Sequence, residues 1–307
     1  MNNGKVEWFG NFPAVVSPFT KDGAIDDGKF VANLELLVSE GARGVVVSGS
    51  NGESWALSAQ ERLRLFKLAK NAVGKRVSVI GGTGMIPTGS VVELTVAAKE
   101  VGVDGVMIMP PYYCGPSRRD VIAHYKMISD EAKTPILIYN SPKAVGFDVT
   151  ADVAEELSNI EWVVGIKQST LDFTVFEQTV AACGDKLRVF TGHSAKRGLA
   201  AVIAGAVGFV SSLDSHVFGR EGISLFDLAV NGEYEKAKQI QMRTLQFDRA
   251  VAGIASGPTI MKAAMNLLGR PGGYPRRPLL EASRGELEKI EAAMDGAGLL
   301  KKSSIAA

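Results

Sequence analysis

The sequence predicts an α/β chain folded as a (β/α)8 TIM barrel with a C-terminal helical extension. Two observations carry that expectation. Short, almost continuously apolar, β-branched runs alternate with amphipathic segments eight times, and uninterrupted apolar strands belong to parallel sheets covered on both faces. The 307 residues are 46% hydrophobic and 22% charged, which is enough apolar material for a barrel that usually needs roughly 250 residues. A doubly wound open sheet would carry G-x-G-x-x-G after its first strand, and that fingerprint is absent from the sequence.

The strand candidates open in order with PAVVSPF at Pro13, GVVVSG at Gly44, VSVIGG at Val77 and GVMIMPP at Gly105. PILIYN at Pro135, VVGIKQS at Val163, RVFTG at Arg188 and GFVSS at Gly208 complete the set. The segments between them read as helices. From Ser58, Leu63, Phe66, Leu68 and Val73 recur at helical spacing, while Arg62, Lys67 and Lys70 are free to face water. Ser58 with Glu61 forms a capping-box signature that marks the helix start. Gly41, Gly74, Gly102 and Gly205 stand where helices should stop in a left-handed conformation. No strand pattern follows Ser212. Residues 1–212 therefore read as the barrel carrying the active site. Residues 213–307 read as three or four helices, the last barrel helix among them, with a face for oligomer contacts.

Lys plus Arg total 34 against 33 acids, a net charge of +1. That balance gives no electrostatic reason to expect nucleic acid or an anionic membrane as partner. Cys114 and Cys183 set no disulfide pattern, the N-terminus lacks an apolar signal core, and no stretch is apolar enough to span a bilayer. A soluble cytoplasmic protein is expected.

In such a barrel the chemistry gathers at the carboxyl ends of the strands. Those ends carry Gly49–Ser54 (GSNGES), Gly81–Gly84 (GGTG), Pro110–Tyr113 (PPYY), Tyr139–Asn140, Lys167, Gly192–His193 and Ser211–Ser212. Lys167 is the anomaly. A lysine on a buried strand usually packs its stem and pairs its ammonium with a carboxylate, yet no acid flanks it on its own strand and the neighbouring strand ends in a phenol, Tyr139. Desolvation disfavours charged amines, and a neutral amine attacks a ketone or aldehyde to give a Schiff base. In GSNGE, two glycines let backbone N–H groups form an anion nest suited to a carboxylate, with Ser50 and Asn51 adding side-chain hydrogen bonds. An ordinary capped turn accounts equally well for that motif alone. Glu53 reads as a structural acceptor holding the loop, and GGTG as a tight strand exit. His124, His193 and His216 lack metal-ligand spacing, which argues against a zinc-dependent aldolase, and Cys114 has no base placed to activate it.

GSNGES, PPYY, ILIYNSP and GIKQS, in this order on an eight-unit barrel, resemble the dihydrodipicolinate synthase / N-acetylneuraminate lyase family. The likeness runs from FPAVVSPF to the PTIMKAAMNLLG helix. It implies that Lys167 forms the imine with pyruvate or the pyruvate-like end of a 2-oxo acid, and that Tyr139 shuttles protons. Ser50 would relay between Tyr139 and a Tyr113 reaching in from a neighbouring subunit. Ser50 and Asn51 would bind the 2-oxo-acid carboxylate, with the Val210 carbonyl lining the same pocket. The resemblance further implies a homotetramer built as a dimer of dimers, with neither metal nor pyridoxal phosphate as cofactor. Three departures stand out. Ser50-Asn51 replaces the Thr-Thr pair usual in the synthases. Ala144 occupies the position where the synthases place an arginine for the aspartate-semialdehyde carboxylate, and the adjacent Lys143 is no bidentate substitute. His193-Ser194 follows Gly192 where the neuraminate lyases carry acids.

The reading is thus a Schiff-base lyase acting on pyruvate or another small 2-oxo acid, by aldol cleavage or condensation or by dehydration of a 2-oxo-3-deoxy acid, with an aldehyde as second partner. His193, Ser169, Lys143 and Lys196 are the candidates for the substrate's distal end, and Gly192 is a further substrate-binding candidate. The alternatives are 4-hydroxy-tetrahydrodipicolinate synthase and, in another class, a non-catalytic 2-oxo-acid sensor.

Overall fold

The structure is a computed structural model that describes residues 5–300. Eight strands form one all-parallel sheet: β1 (Gly10–Asn11), β2 (Gly44–Val47), β3 (Ser78–Gly82), β4 (Gly105–Ile108), β5 (Ile136–Asn140), β6 (Val163–Gln168), β7 (Arg188–Thr191) and β8 (Gly208–Phe209). Their order is β1-β8-β7-β6-β5-β4-β3-β2, and a parallel bridge from Ala14 to Val46 closes the ring. The first strand differs from the expected run at Pro13. Proline has no N–H to give the ladder, so regular pairing stops at Asn11. The chain beyond it still bonds to both neighbours, with Ala14 N–H donating to the Ser211 carbonyl at 2.9 Å and Val15 N–H to that of Val46 at 2.9 Å.

Helices alternate with the strands: α1 (Asp27–Ser39), α2 (Ala59–Val73), α3 (Thr88–Val101), α4 (Arg118–Ala132), the single turn α5 (Pro142–Val145), α6 (Ala151–Leu157), α7 (Phe173–Cys183) and α8 (Ser194–Ile203). The Ser58–Glu61 capping box is present in both directions. Gly41, Gly102 and Gly205 are left-handed as expected, with φ of 113°, 89° and 103°. Gly74 is not. Its φ is −64°, and the end of α2 is closed by the N–H groups of Arg76 and Val77 on the Val73 carbonyl. After β8 come five helices among the described residues, where three or four were expected: α9 (Leu213–Val217), α10 (Arg220–Val230), α11 (Tyr234–Val251), α12 (Gly257–Leu267) and α13 (Arg284–Gly296).

Two apolar shells follow from the strand alternation. Val45, Val47, Val79, Val106, Ile136, Ile138 and Val189 face the helices. Val46, Ile80, Met107, Leu137, Val164, Phe190 and Val210 fill the barrel interior, with Phe12 edge-on to Phe190 at 5.3 Å. Tyr139 belongs to the inner set, which brings a phenol to the carboxyl end of a packed interior. No helix is long and apolar enough to cross a membrane among the described residues.

Candidate active site

Tyr139 and Lys167 are register partners across β5 and β6. Simple alternation does not bring Lys167 inside. Val163 packs outward and Val164 inward, a parity that would turn residue 167 outward. The register slips by one residue here, pairing Ile136 with Val163 but Leu137 with Gly165. This β-bulge reverses the parity and re-aims every later side chain of β6. A Cβ on Gly165 would lie 2.8 Å from the Arg188 carbonyl oxygen, so the bulge needs a residue without a side chain. Beyond it, Ile166 packs outward and Lys167 lies with Tyr139. Asn140 and Gln168, the next residues on each strand, lock the pair from the outer side. Asn140 donates to Gln168 and Asp148 and accepts from the Val149 N–H, and Gln168 donates to Thr179.

Lys167 is 6% exposed, with its Nζ 3.8 Å from the centroid of the Tyr139 ring. Among the described residues no carboxylate pairs with it. Burial by itself would raise the Tyr139 phenol, but the Lys167 charge and the hydroxyls of Ser50 and Ser141 outweigh burial and hold its pKa below the usual phenol value. Lys167, Tyr139 and Ser50 therefore form one group. Ser141 joins it although sequence reasoning passed it over; its signal was its place two residues past Tyr139, at the same strand end.

The Gly49–Ser54 loop supplies polar groups beside that trio. The backbone N–H groups of Ser50 and Asn51 have no hydrogen-bond partner among the described residues, as a nest for an anion requires. The Asn51 side chain makes a long contact, 3.5 Å, to the Ala14 carbonyl. Val210 is buried, and its carbonyl accepts no hydrogen bond among the described residues.

The model of the dihydrodipicolinate synthetase family matches residues 8–297. The chain belongs to that family. It is similar to an uncharacterized DapA-like lyase of Rhizobium meliloti, 34% identical over 93% of this chain and 95% of that one. It is also similar to the 4-hydroxy-tetrahydrodipicolinate synthase of Citrifermentans bemidjiense, 33% identical over 93% and 97%. Among solved structures, the dihydrodipicolinate synthase of Aquifex aeolicus superposes with a TM-score of 0.89 at 30% identity, over 96% of this chain and all of that one. The chain is accordingly an enzyme, a Schiff-base-forming lyase of the class I aldolase type.

The remaining residues of this family member's rim fall into two groups. Gly192 lies against Lys167, since a Cβ there would meet Lys167 Cε at 2.9 Å and Ser169 Oγ at 1.8 Å. Ser169 is 9% exposed, and its hydroxyl has no hydrogen-bond partner among the described residues. Its carbonyl accepts from His193 Nε2 at 3.0 Å, which places the imidazole proton on that nitrogen. Burial, with Arg197 adding to it, pulls His193 down to about 4, so at neutral pH it is an uncharged ring. Tyr113, by contrast, is not drawn into the trio by its own chain: it is 96% exposed, with φ of 71°. Lys143 and Ala144 are exposed on α5, and Lys196 pairs with Asp248 at 3.2 Å.

Arg62, expected in solvent, is 5% exposed. It donates to the Ser54 carbonyl at 2.7 Å and the Gly84 carbonyl at 3.0 Å, tying together the loops after β2 and β3. The signal was there: positions 62, 65, 66, 69 and 73 form one buried stripe on α2.

Proposed function

We propose that Lys167 forms the Schiff base with pyruvate or another small 2-oxo acid. The observation that carries this reading is an amine buried at a strand end, against a phenol and without a carboxylate partner. Its nitrogen attacks the 2-oxo carbon, the carbinolamine loses water, and loss of a proton from C3 gives an enamine. Tyr139 gives and takes the protons, because its phenol is pulled toward the acidic side and lies beside Ser50. The free N–H groups of Ser50 and Asn51, the Asn51 amide and the Ser50 hydroxyl hold the carboxylate. Tyr113 acts at a neighbouring copy's site, a role supported by its exposed, left-handed position. The working form is then a homotetramer in the cytoplasm, needing neither metal nor pyridoxal phosphate.

The enamine adds to, or is released from, an aldehyde, or expels a hydroxyl. The curated relatives named 4-hydroxy-tetrahydrodipicolinate synthase favour the synthase as a second reading. Against it stands Ala144, which offers no guanidinium for a semialdehyde carboxylate. The deciding experiment is borohydride trapping with pyruvate, followed by peptide mapping. A reduced adduct on Lys167, lost in folded Lys167→Ala together with turnover, is the expected result. Turnover retained in Lys167→Ala would sink the mechanism. Consumption of pyruvate with aspartate semialdehyde would select the synthase, and aldehyde or water release from longer 2-oxo acids the lyase reactions.

A further inference from the structure

The loop that carries Ser50 and Asn51 is unusual for its backbone. Ser48 and Glu53 bracket it with φ of 60° and 52°, conformations that cost a residue with a side chain about 1–2 kcal/mol each. Something must hold it. Glu53 is fully buried and faces Lys262, 209 positions later in α12 and 1% exposed. Lys262 Nζ donates to Glu53 Oε1 at 2.5 Å, to the Ser17 carbonyl at 2.7 Å and to the Tyr274 carbonyl at 2.8 Å, so all three of its protons are spent. The other Glu53 oxygen accepts from the Arg276 N–H at 2.9 Å. Two of the three groups that Lys262 grips lead back to the loop. Ser17 Oγ donates to the Gly52 carbonyl at 2.8 Å, and Glu53 N–H donates to the Ser50 carbonyl at 3.1 Å.

We infer that Lys262, from the C-terminal extension, is a positioning residue for the substrate carboxylate, acting through Glu53 on the backbone that presents Ser50 and Asn51. A buried ion pair is poor evidence of stabilisation, since apolar replacements often do as well. A pair whose two ends both lead to one strained loop places that loop, and the barrel without α12 lacks the clamp. Packing of Met261 and Met265 on Val16 sets the depth at which Lys262 enters. This role presupposes that Ser50 and Asn51 hold the carboxylate, as proposed above.

Two variants of the full-length enzyme separate placement from stability. Lys262→Met leaves Glu53 buried without its counterion. The double variant Glu53→Gln/Lys262→Met removes that lone charge as well. The expected result is a KM for pyruvate raised about tenfold or more in both, with kcat changed much less. Tm should fall in the single variant and recover in the double. Binding lost in step with placement costs about 1.4 kcal/mol per tenfold. A KM unmoved in Lys262→Met, or one that recovers together with Tm in the double variant, overturns the inference. So does failure of both variants to fold, because the pair would then serve the fold and not the loop. Borohydride trapping on the unaltered enzyme keeps the two proposals apart. No adduct there with pyruvate or with longer 2-oxo acids refutes the Schiff-base assignment, whereas an adduct with an unmoved KM refutes only the role of Lys262.

Discussion

Gly192→Ala tests the placement of the Lys167 amine, proposed above as the nucleophile. A methyl at residue 192 would sit 1.8 Å from Ser169 Oγ, 3.0 Å from Ser169 Cβ and 2.9 Å from Lys167 Cε, where ordinary contact begins at 3.4 Å. Ser169 can turn its hydroxyl away, but Lys167 Cε must withdraw by about half an ångström, carrying Nζ with it. Ser169 Cβ, which moves only with its backbone, must give by only a few tenths of an ångström, so the stability cost falls at the low end of overpacking, about 1 kcal/mol. For a chain of this size that is roughly 2 °C in Tm. The catalytic cost is larger, because a misplacement approaching 1 Å loses up to about 10²-fold; a drop of roughly 10- to 100-fold in kcat/KM is expected. Adding Ser169→Ala removes the closest clash and should recover most of the Tm while leaving turnover low. Borohydride trapping at fixed pyruvate gives an independent rate for imine formation and should slow in parallel. Folded Gly192→Ala with kcat/KM within twofold of the unaltered enzyme would refute the contact between residue 192 and the amine as a determinant of rate.

Further outcomes follow from other residues. Tyr139→Phe should lower turnover by about 10²-fold while imine is still trapped on Lys167; loss of trapping would make the phenol more than a proton carrier. Lys167→Ala and Tyr113→Ala, each inactive alone, should regain activity when their subunits are mixed, because hybrid oligomers contain sites with both side chains. Mixtures that stay inactive would remove Tyr113 from a neighbour's site. His216 is fully buried, and burial lowers its pKa to about 4. Between about 6.5 and 4 the unfolded chain binds the extra proton, so stability falls as pH drops through that window, by roughly 3 kcal/mol once below it. Urea midpoints at several pH values should therefore fall less steeply for His216→Gln, and an unchanged slope would exclude His216 as the source.

The barrel and the polar rim at its strand ends were legible in the sequence, because strand and helix periods and strand ends are local properties. Lys167 could be singled out for the same reason, a charge inside an apolar run with no acid beside it. What turns Lys167 inward was not legible. Alternation alone would place it outside, and the bulge at Val163–Gly165 exists only through pairing with Ile136 and Leu137. Lys70 does meet an acid at the surface, Asp104 at 2.9 Å, but Arg62 on the same helix is drawn under two loops by carbonyls from other strands. Pro13 shortens the first ladder while its neighbours keep bonding on both sides. Glu53 was readable as a holder of its loop, since it follows two glycines at a turn. Its partner was not, because Lys262 sits in an apolar helix far along the chain. A residue's own neighbours set its conformation, but whether a buried charge is reactive or clamped depends on which distant groups the closed barrel brings within hydrogen-bond reach.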